Sequence, residues 1–147
     1  MLYDVDEGRT REQTVGGRVL VVGTDDWAIE QGAEVLTAVG FTVLRCHDAG
    51  APTFPCNALR PGGVCPVEAG VEVVVDIRAR PSATPDPNEF GVVCAVRDRI
   101  PLVVGGLGEH NPFSPWATVV VQPSGDLVSA VETIIGRAAA DIEVLQT

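Results

Sequence analysis

The four cysteines are the residues whose type and placement could most readily do chemistry in this chain. Three of them lie in the segment 46–65, CHDAGAPTFPCNALRPGGVC, and the fourth is Cys94. The segment is rich in proline and glycine, so helical packing does not explain how it is held. A zinc ion, an iron–sulfur cluster or disulfides would each hold it in place.

Three aspartates are the second set of candidates. Asp25 and Asp26 follow an apolar run, and Asp76 ends another. Carboxylates at the ends of neighbouring parallel strands could bind a cation together, since hard cations prefer oxygen ligands. The alternative for Asp25 and Asp26 is capping of the next helix, where acidic residues also suit the helix dipole.

The elements that would position these residues alternate between strands and helices. Continuous apolar runs predict five buried strands, at 18–23, 41–45, 71–77, 101–104 and 117–121. Helical spacing predicts one helix that ends at Gly40, a second over 88–98 with Phe90, Val93, Cys94 and Arg97 close to one face, and a third over 125–141. We expect residues 1–17 to form a flexible tail and residues 18–143 to form one domain.

This order predicts an α/β fold with three layers, in which helices cover both faces of a parallel sheet. Cys46 would then end the second strand, Cys56 and Cys65 would lie in the following loop, and Cys94 would lie on a helix over the same face. All four could therefore meet at one zinc or iron–sulfur site. The sequence has no CxxC pair, which is a spacing typical of such sites. The alternatives are cysteines that only pack in the core, or disulfides. We expect His47 to be exposed at the strand end, although it could replace one cysteine as a ligand.

In the order and lengths of its predicted strands and helices, the stretch 18–138 resembles the receiver domain of two-component response regulators. The resemblance lies in RVLVVGTDDWAIEQGAEVLTAVGFTV, VEVVVDIR, IPLVVGG and ATVVVQPSGDLVSAV. It implies a flavodoxin-like, five-stranded parallel sheet of order 2-1-3-4-5. The second helix would be replaced by the Cys/Pro/Gly loop, and the fourth would be shortened within GGLGEHNPFSPWA.

The resemblance implies that Asp76 is the phosphoacceptor, with Mg²⁺ bound only if Asp76 is phosphorylated. The other receiver positions differ, since Gly23 and Thr24 replace the acidic pair, Gly106 the hydroxyl residue and Gln122 the lysine. We therefore expect a degenerate, stand-alone, non-catalytic receiver that acts on another protein. The alternatives are a divergent receiver phosphorylated at Asp76, with Asp25 or Asp26 holding the metal, and a small-molecule-binding α/β protein.

Composition and net charge indicate which kinds of binding partner and which cellular location to expect. The chain has 147 residues and a formal net charge of −10, which disfavours binding to nucleic acid or to an anionic membrane. No apolar run is long enough to span a bilayer, and the polar start lacks the apolar core of a secretory signal. We expect a cytoplasmic protein. Receiver domains often form dimers through their last helix, so the resemblance implies a second copy of this chain as a candidate partner.

Overall fold

The computed structural model describes residues 17–47, 56–78, 84–106, 111–121 and 126–146. Five parallel strands form one sheet in the order β2-β1-β3-β4-β5, which confirms the predicted fold. The strands are β1 Arg18–Gly23, β2 Thr42–Leu44, β3 Val73–Arg78, β4 Leu102–Gly106 and β5 Val119–Val120. The helices are α1 Asp26–Ala38, α2 Pro66–Gly70, α3 Phe90–Arg97 and α4 Leu127–Gln146.

The strands bury both of their faces, as their continuous apolar sequences predict. Val19 and Val21 point to one face, where α1 and α4 cover the sheet with residues such as Leu36 and Val131. Leu20 and Val22 point to the opposite face. That second face is covered by α2 and α3, with Val67, Val92, Ala95 and Phe113 among the side chains that pack there.

The predicted loop after β2 is confirmed over its described residues and ends in a short helix. The chain makes a 3-10 turn at Asn57–Leu59 and then forms the five-residue helix α2 directly after Cys65. Pro66 begins this helix, a position where its missing N–H is not needed. Another 3-10 turn, Ser114–Trp116, lies where the shortened fourth helix was expected.

The face that α3 turns to the sheet differs from the prediction. The sequence placed Phe90, Val93, Cys94 and Arg97 close to one face, but the buried side is formed by the small residues Gly91 and Ala95 with Val92. Phe90 is 59% exposed and Val93 is 52% exposed. Small residues let the helix approach the sheet closely, so the bulky residues are left on the outer side.

Three predictions fall on residues outside those described. They are the flexible tail, of which only residue 17 is described, residues 107–110 of the expected shortened helix, and Gln122 at the receiver lysine position. Within the described residues, no helix is long and apolar enough to cross a membrane.

Candidate metal centre

All four cysteines line one cavity, which has a volume of about 270 Å³. Cys46 follows β2, Cys56 precedes the 3-10 turn, Cys65 precedes α2 and Cys94 lies on α3. Each of the four thiols therefore comes from a different local structure. The four cysteines therefore share one cavity, whereas their role as metal ligands stays a prediction. All four are free thiols that are neither fully buried nor fully exposed.

Two hydrogen bonds from Asn57 hold the middle of the cysteine segment beside its start. The Asn57 N–H donates to the Cys46 carbonyl over 2.6 Å, and the Asn57 amide donates to the Arg45 carbonyl over 3.4 Å. The turn that follows requires glycine, because a Cβ atom on Gly63 would stand 1.6 Å from the Asn57 carbonyl oxygen. The chain between Cys56 and Cys65 is thereby folded back beside the end of β2.

Cys65 is held by the start of α2. Its carbonyl accepts a hydrogen bond of 2.8 Å from the Ala69 N–H, within the first turn of the helix. The side chains of Cys46, Cys65 and Cys94 also pack against the core cluster on this face of the sheet. The thiols are therefore positioned by ordered backbone as well as by apolar contacts.

The Cys46 thiol of the metal-free cavity is held in the neutral form. Its pKa is raised to about 12, mainly by burial and then by the neighbouring Cys94, Cys56 and Cys65 in that order of effect. Burial also raises the pKa of Cys94. A bound metal would reverse this preference, because its positive charge stabilises thiolates.

His47 lies in the wall of the same cavity and is only 6% exposed. The prediction that it would be an exposed residue at a strand end was wrong. The chain turns inward after Cys46 and places the imidazole Nε2 atom 3.7 Å from the Asp26 carboxylate. The cavity therefore holds one imidazole beside its four thiols.

The cysteines surround the cavity without closing around a single point. Across the five described stretches, no group of three or more His, Cys, Asp or Glu side chains has a geometry that could hold one metal ion. The thiols thus share a space but do not form a compact four-sulfur site.

Asp76 lies in a second, fully buried polar cluster. Its strand register places it between Val22 of β1 and Val104 of β4, and its exposure is 0%. The Asn111 amide donates to Asp76 Oδ2 over 2.7 Å, while Oδ1 has no hydrogen-bond donor.

The pKa of Asp76 is raised to about 8, and burial is the largest cause. A hydrogen bond to Glu89 and the negative charge of Glu89 also raise the pKa, whereas Asn111 and Arg78 lower it. Asp76 is therefore protonated near neutral pH. A neutral, enclosed carboxyl group is a poor phosphoacceptor, and phosphorylation at Asp76 stays a prediction.

Glu89 and Arg78 complete this cluster and were not singled out from the sequence. Arg78 Nε donates to Glu89 Oε2 over 2.9 Å and its Nη2 donates to Oε1 over 2.6 Å, with both side chains fully buried. Glu89 also accepts from the Asp86 N–H as part of a capping box. The Asp-x-x-Glu spacing of Asp86 and Glu89 was the signal that could have located it.

Asp25 and Asp26 lie at the start of α1. Asp25 is the N-cap residue, and its carbonyl accepts hydrogen bonds of 3.1 Å from both the Ala28 and Ile29 N–H groups. Its side chain makes no capping hydrogen bond and instead accepts from the Thr24 hydroxyl over 3.3 Å. Asp26 faces His47. Cation binding by Asp25 and Asp26 stays a prediction.

The two aromatic residues of the segment GGLGEHNPFSPWA differ in burial. Phe113 is buried, whereas Trp116 is 60% exposed. Their rings lie 6.1 Å apart, and together with Val93 and Val96 of α3 they line a second, apolar cavity.

Comparison of the chain with protein-family models, with curated proteins and with solved structures finds no match in any of the three. The function must therefore be argued from the α/β fold and from the cysteine cavity.

Proposed function

We propose that this protein is a non-catalytic regulatory module of receiver-like fold. It acts through contacts with another protein, and a zinc ion or an iron–sulfur cluster held by Cys46, Cys56, Cys65 and Cys94 stabilises or switches it. The observation that carries the proposal is the convergence of all four cysteines, from four separate local structures, on one cavity.

A metal centre at this place would link four parts of the chain that are separated in the sequence. It would join the end of β2, the 3-10 turn, the start of α2 and the middle of α3. Because such a site forms only in the folded state, the free energy of metal binding adds to the free energy of folding. The cytoplasmic location that the sequence predicts would keep the thiols reduced and ready to bind.

The same centre lies next to an apolar surface suited to protein contact. Phe90 and Val93 line the cysteine cavity and yet are more than half exposed. Exposed apolar side chains that cluster on one side often mark sites of interaction. Binding or loss of the metal would change the surroundings of Phe90 and Val93 and so change the affinity of this surface for a partner. A protein partner or a second copy of the chain would fit this role, and the net charge of −10 disfavours nucleic acid.

Metal content after purification without oxygen tests the proposal. Elemental analysis and an absorption spectrum should show bound zinc, or iron with sulfide, that is lost in Cys56→Ser and Cys65→Ser. Val64→Ser is the matched control, since Val64 is exposed, neighbours Cys65 and does not line the cavity. A protein with no metal and four titratable thiols would contradict the proposal.

Phosphorylation remains the alternative that the resemblance supplies. Incubation with acetyl phosphate and Mg²⁺ should leave the protein unlabelled, because Asp76 is enclosed and protonated. Labelling that disappears in Asp76→Asn would instead establish a divergent receiver with Asp25 or Asp26 as candidate metal ligands.

A further inference from the structure

We infer that the cysteine cavity is built for a [4Fe–4S] cluster bound by four thiolates rather than for a single metal ion. This inference rests on the proposed metal site and specifies which kind of centre it holds. Three observations support it, namely the spread of the thiols, the volume between them and the chemistry of the cavity wall.

The spread of the thiols does not match a mononuclear site. A zinc ion holds each sulfur at about 2.3 Å, so its four sulfur ligands lie almost in contact with one another. In the described part of the chain no three Cys, His, Asp or Glu side chains are gathered in that way. The four cysteines nevertheless act on one another electrostatically and line the same space. A cluster separates its ligands, because iron and sulfide lie between the thiolates.

The volume between the thiols agrees with a polynuclear occupant. The cavity measures about 270 Å³, far more than the ~10–15 Å³ that is enough to hold one water molecule. Sulfurs that met around a single ion would fill their own site and leave no such space. A cubane of iron and sulfide requires it.

The wall of the cavity suits a soft, sulfur-rich centre. Its other residues include Pro66, Val67, Pro87, Phe90 and Val93, and the described lining contains no Asp, Glu, Lys or Arg. Hard cations such as Mg²⁺ prefer several oxygen ligands, carboxylates above all, whereas the one side-chain oxygen of this wall is the amide oxygen of Asn88. An apolar shell limits access of water and tunes the potential of a cluster.

Loading can occur by ligand exchange without any change of oxidation state. A preformed cluster carried by four small thiolates would transfer its iron–sulfide core to Cys46, Cys56, Cys65 and Cys94. Each cysteine thiol loses its proton as its sulfur binds iron, and each small thiolate leaves with one proton as a free thiol. Four Fe–S bonds form and four break, so atoms, charge and electrons balance.

The experiment adds such a preformed cluster to the metal-free protein under nitrogen, and a parallel sample receives Zn²⁺. The expected result is four iron and four sulfide per chain after gel filtration, with the broad visible absorption of a thiolate-bound cluster. Failure to retain iron while one zinc binds would overturn the cluster and leave the proposed metal site standing. Failure to retain either metal would overturn both.

Single variants then test the four-thiolate ligand set. Each of the four Cys→Ser variants should lose at least half of the bound iron, whereas His47→Ala and Val64→Ser should retain it. Circular dichroism checks that each variant is folded, and an unfolded serine variant is replaced by the alanine variant. Full retention of iron in a folded Cys46 or Cys94 variant, or its loss in His47→Ala, would overturn ligation by four cysteines.

Discussion

Gly91 on α3 approaches Cys46 so closely that a Cβ atom at position 91 would stand 2.9 Å from the Cys46 sulfur. The same atom would stand 2.8 Å from a methyl group of Val22. Real Cβ atoms essentially never make contacts this short, so only glycine fits between the sheet and the cavity. The placement of the Cys46 thiol therefore depends on a residue that has no side chain.

Gly91→Ala should destabilise the protein and weaken metal loading. Overpacking of a filled core costs about 1–3 kcal/mol, which exceeds the ~0.5–1 kcal/mol that alanine gains over glycine inside a helix. Urea denaturation should therefore show a lower free energy of unfolding. Gly136→Ala is the control, because among the described residues no atom beyond its own turn of helix lies within 4 Å of an added Cβ, and it should stabilise the protein. A Gly91→Ala variant as stable as the parent would contradict the close approach of α3.

Asp76→Asn should change how stability depends on pH. The pKa of Asp76 is about 8 in the folded protein against 3.8 for an ordinary aspartate. The folded state therefore holds this proton more tightly, so the stabilising contribution is complete below pH 4 and is lost as the pH rises through 8. Asparagine should mimic the protonated carboxyl, since its amide can donate to Glu89 while its oxygen accepts from Asn111.

Urea denaturation of Asp76→Asn and the parent at several pH values between 4 and 9 measures this effect. The variant should gain stability relative to the parent as the pH rises, by on the order of a few kcal/mol at the alkaline end. Asp98→Asn, at an exposed ion pair with Arg97, should show no such trend. Parallel curves for Asp76→Asn and the parent would mean that Asp76 is ionised throughout.

Glu89→Gln should be strongly destabilising at pH 7. The substitution leaves the Arg78 guanidinium fully buried without its paired carboxylate. Breaking a buried ion pair from one side typically costs about 3–5 kcal/mol. The midpoint of urea denaturation should fall accordingly, and Asp98→Asn again serves as the exposed control. A change in the midpoint no larger than that of the control would show that water reaches Arg78.

Cys46 should be the slowest of the four cysteines to react with iodoacetamide in the metal-free protein at pH 8. The thiolate is the reactive form, and the pKa of about 12 leaves little of it at Cys46. Peptide mass spectrometry of samples quenched over time gives the rate at each cysteine. Alkylation of Cys46 at the same rate as Cys56 would contradict the buried position of this thiol.

The sheet could be predicted because each strand is marked by a short continuous run of apolar residues in the sequence. Five apolar runs between turn-forming residues suffice to indicate parallel strands, and helical spacing located the two helices that bury Ile29, Leu36 and Val131. The ends of the strands were less certain, since hydrogen bonding rather than apolar character decides where a strand stops. The strand predicted at 71–77, for example, is found at Val73–Arg78.

The positions of the site residues could be predicted only where the strand order determines them. The convergence of Cys46 and Cys94 follows from the strand order, whereas the inward turn of His47 depends on backbone that no periodic pattern describes. The buried pair of Arg78 and Glu89 was missed because charged residues are expected at the surface. Recognising it would have required knowing that Arg78 ends β3 and that the chain returns to place Glu89 beside it.

Native mass spectrometry of the protein purified without oxygen tests the central claim most directly, because it weighs the chain together with what its cysteines hold. We predict one chain with the added mass of four iron and four sulfide, less the protons of four thiols, and the loss of that increment in Cys56→Ser. The bare mass of the chain, with four cysteines that can all be alkylated after unfolding, would contradict a metal centre at this cavity.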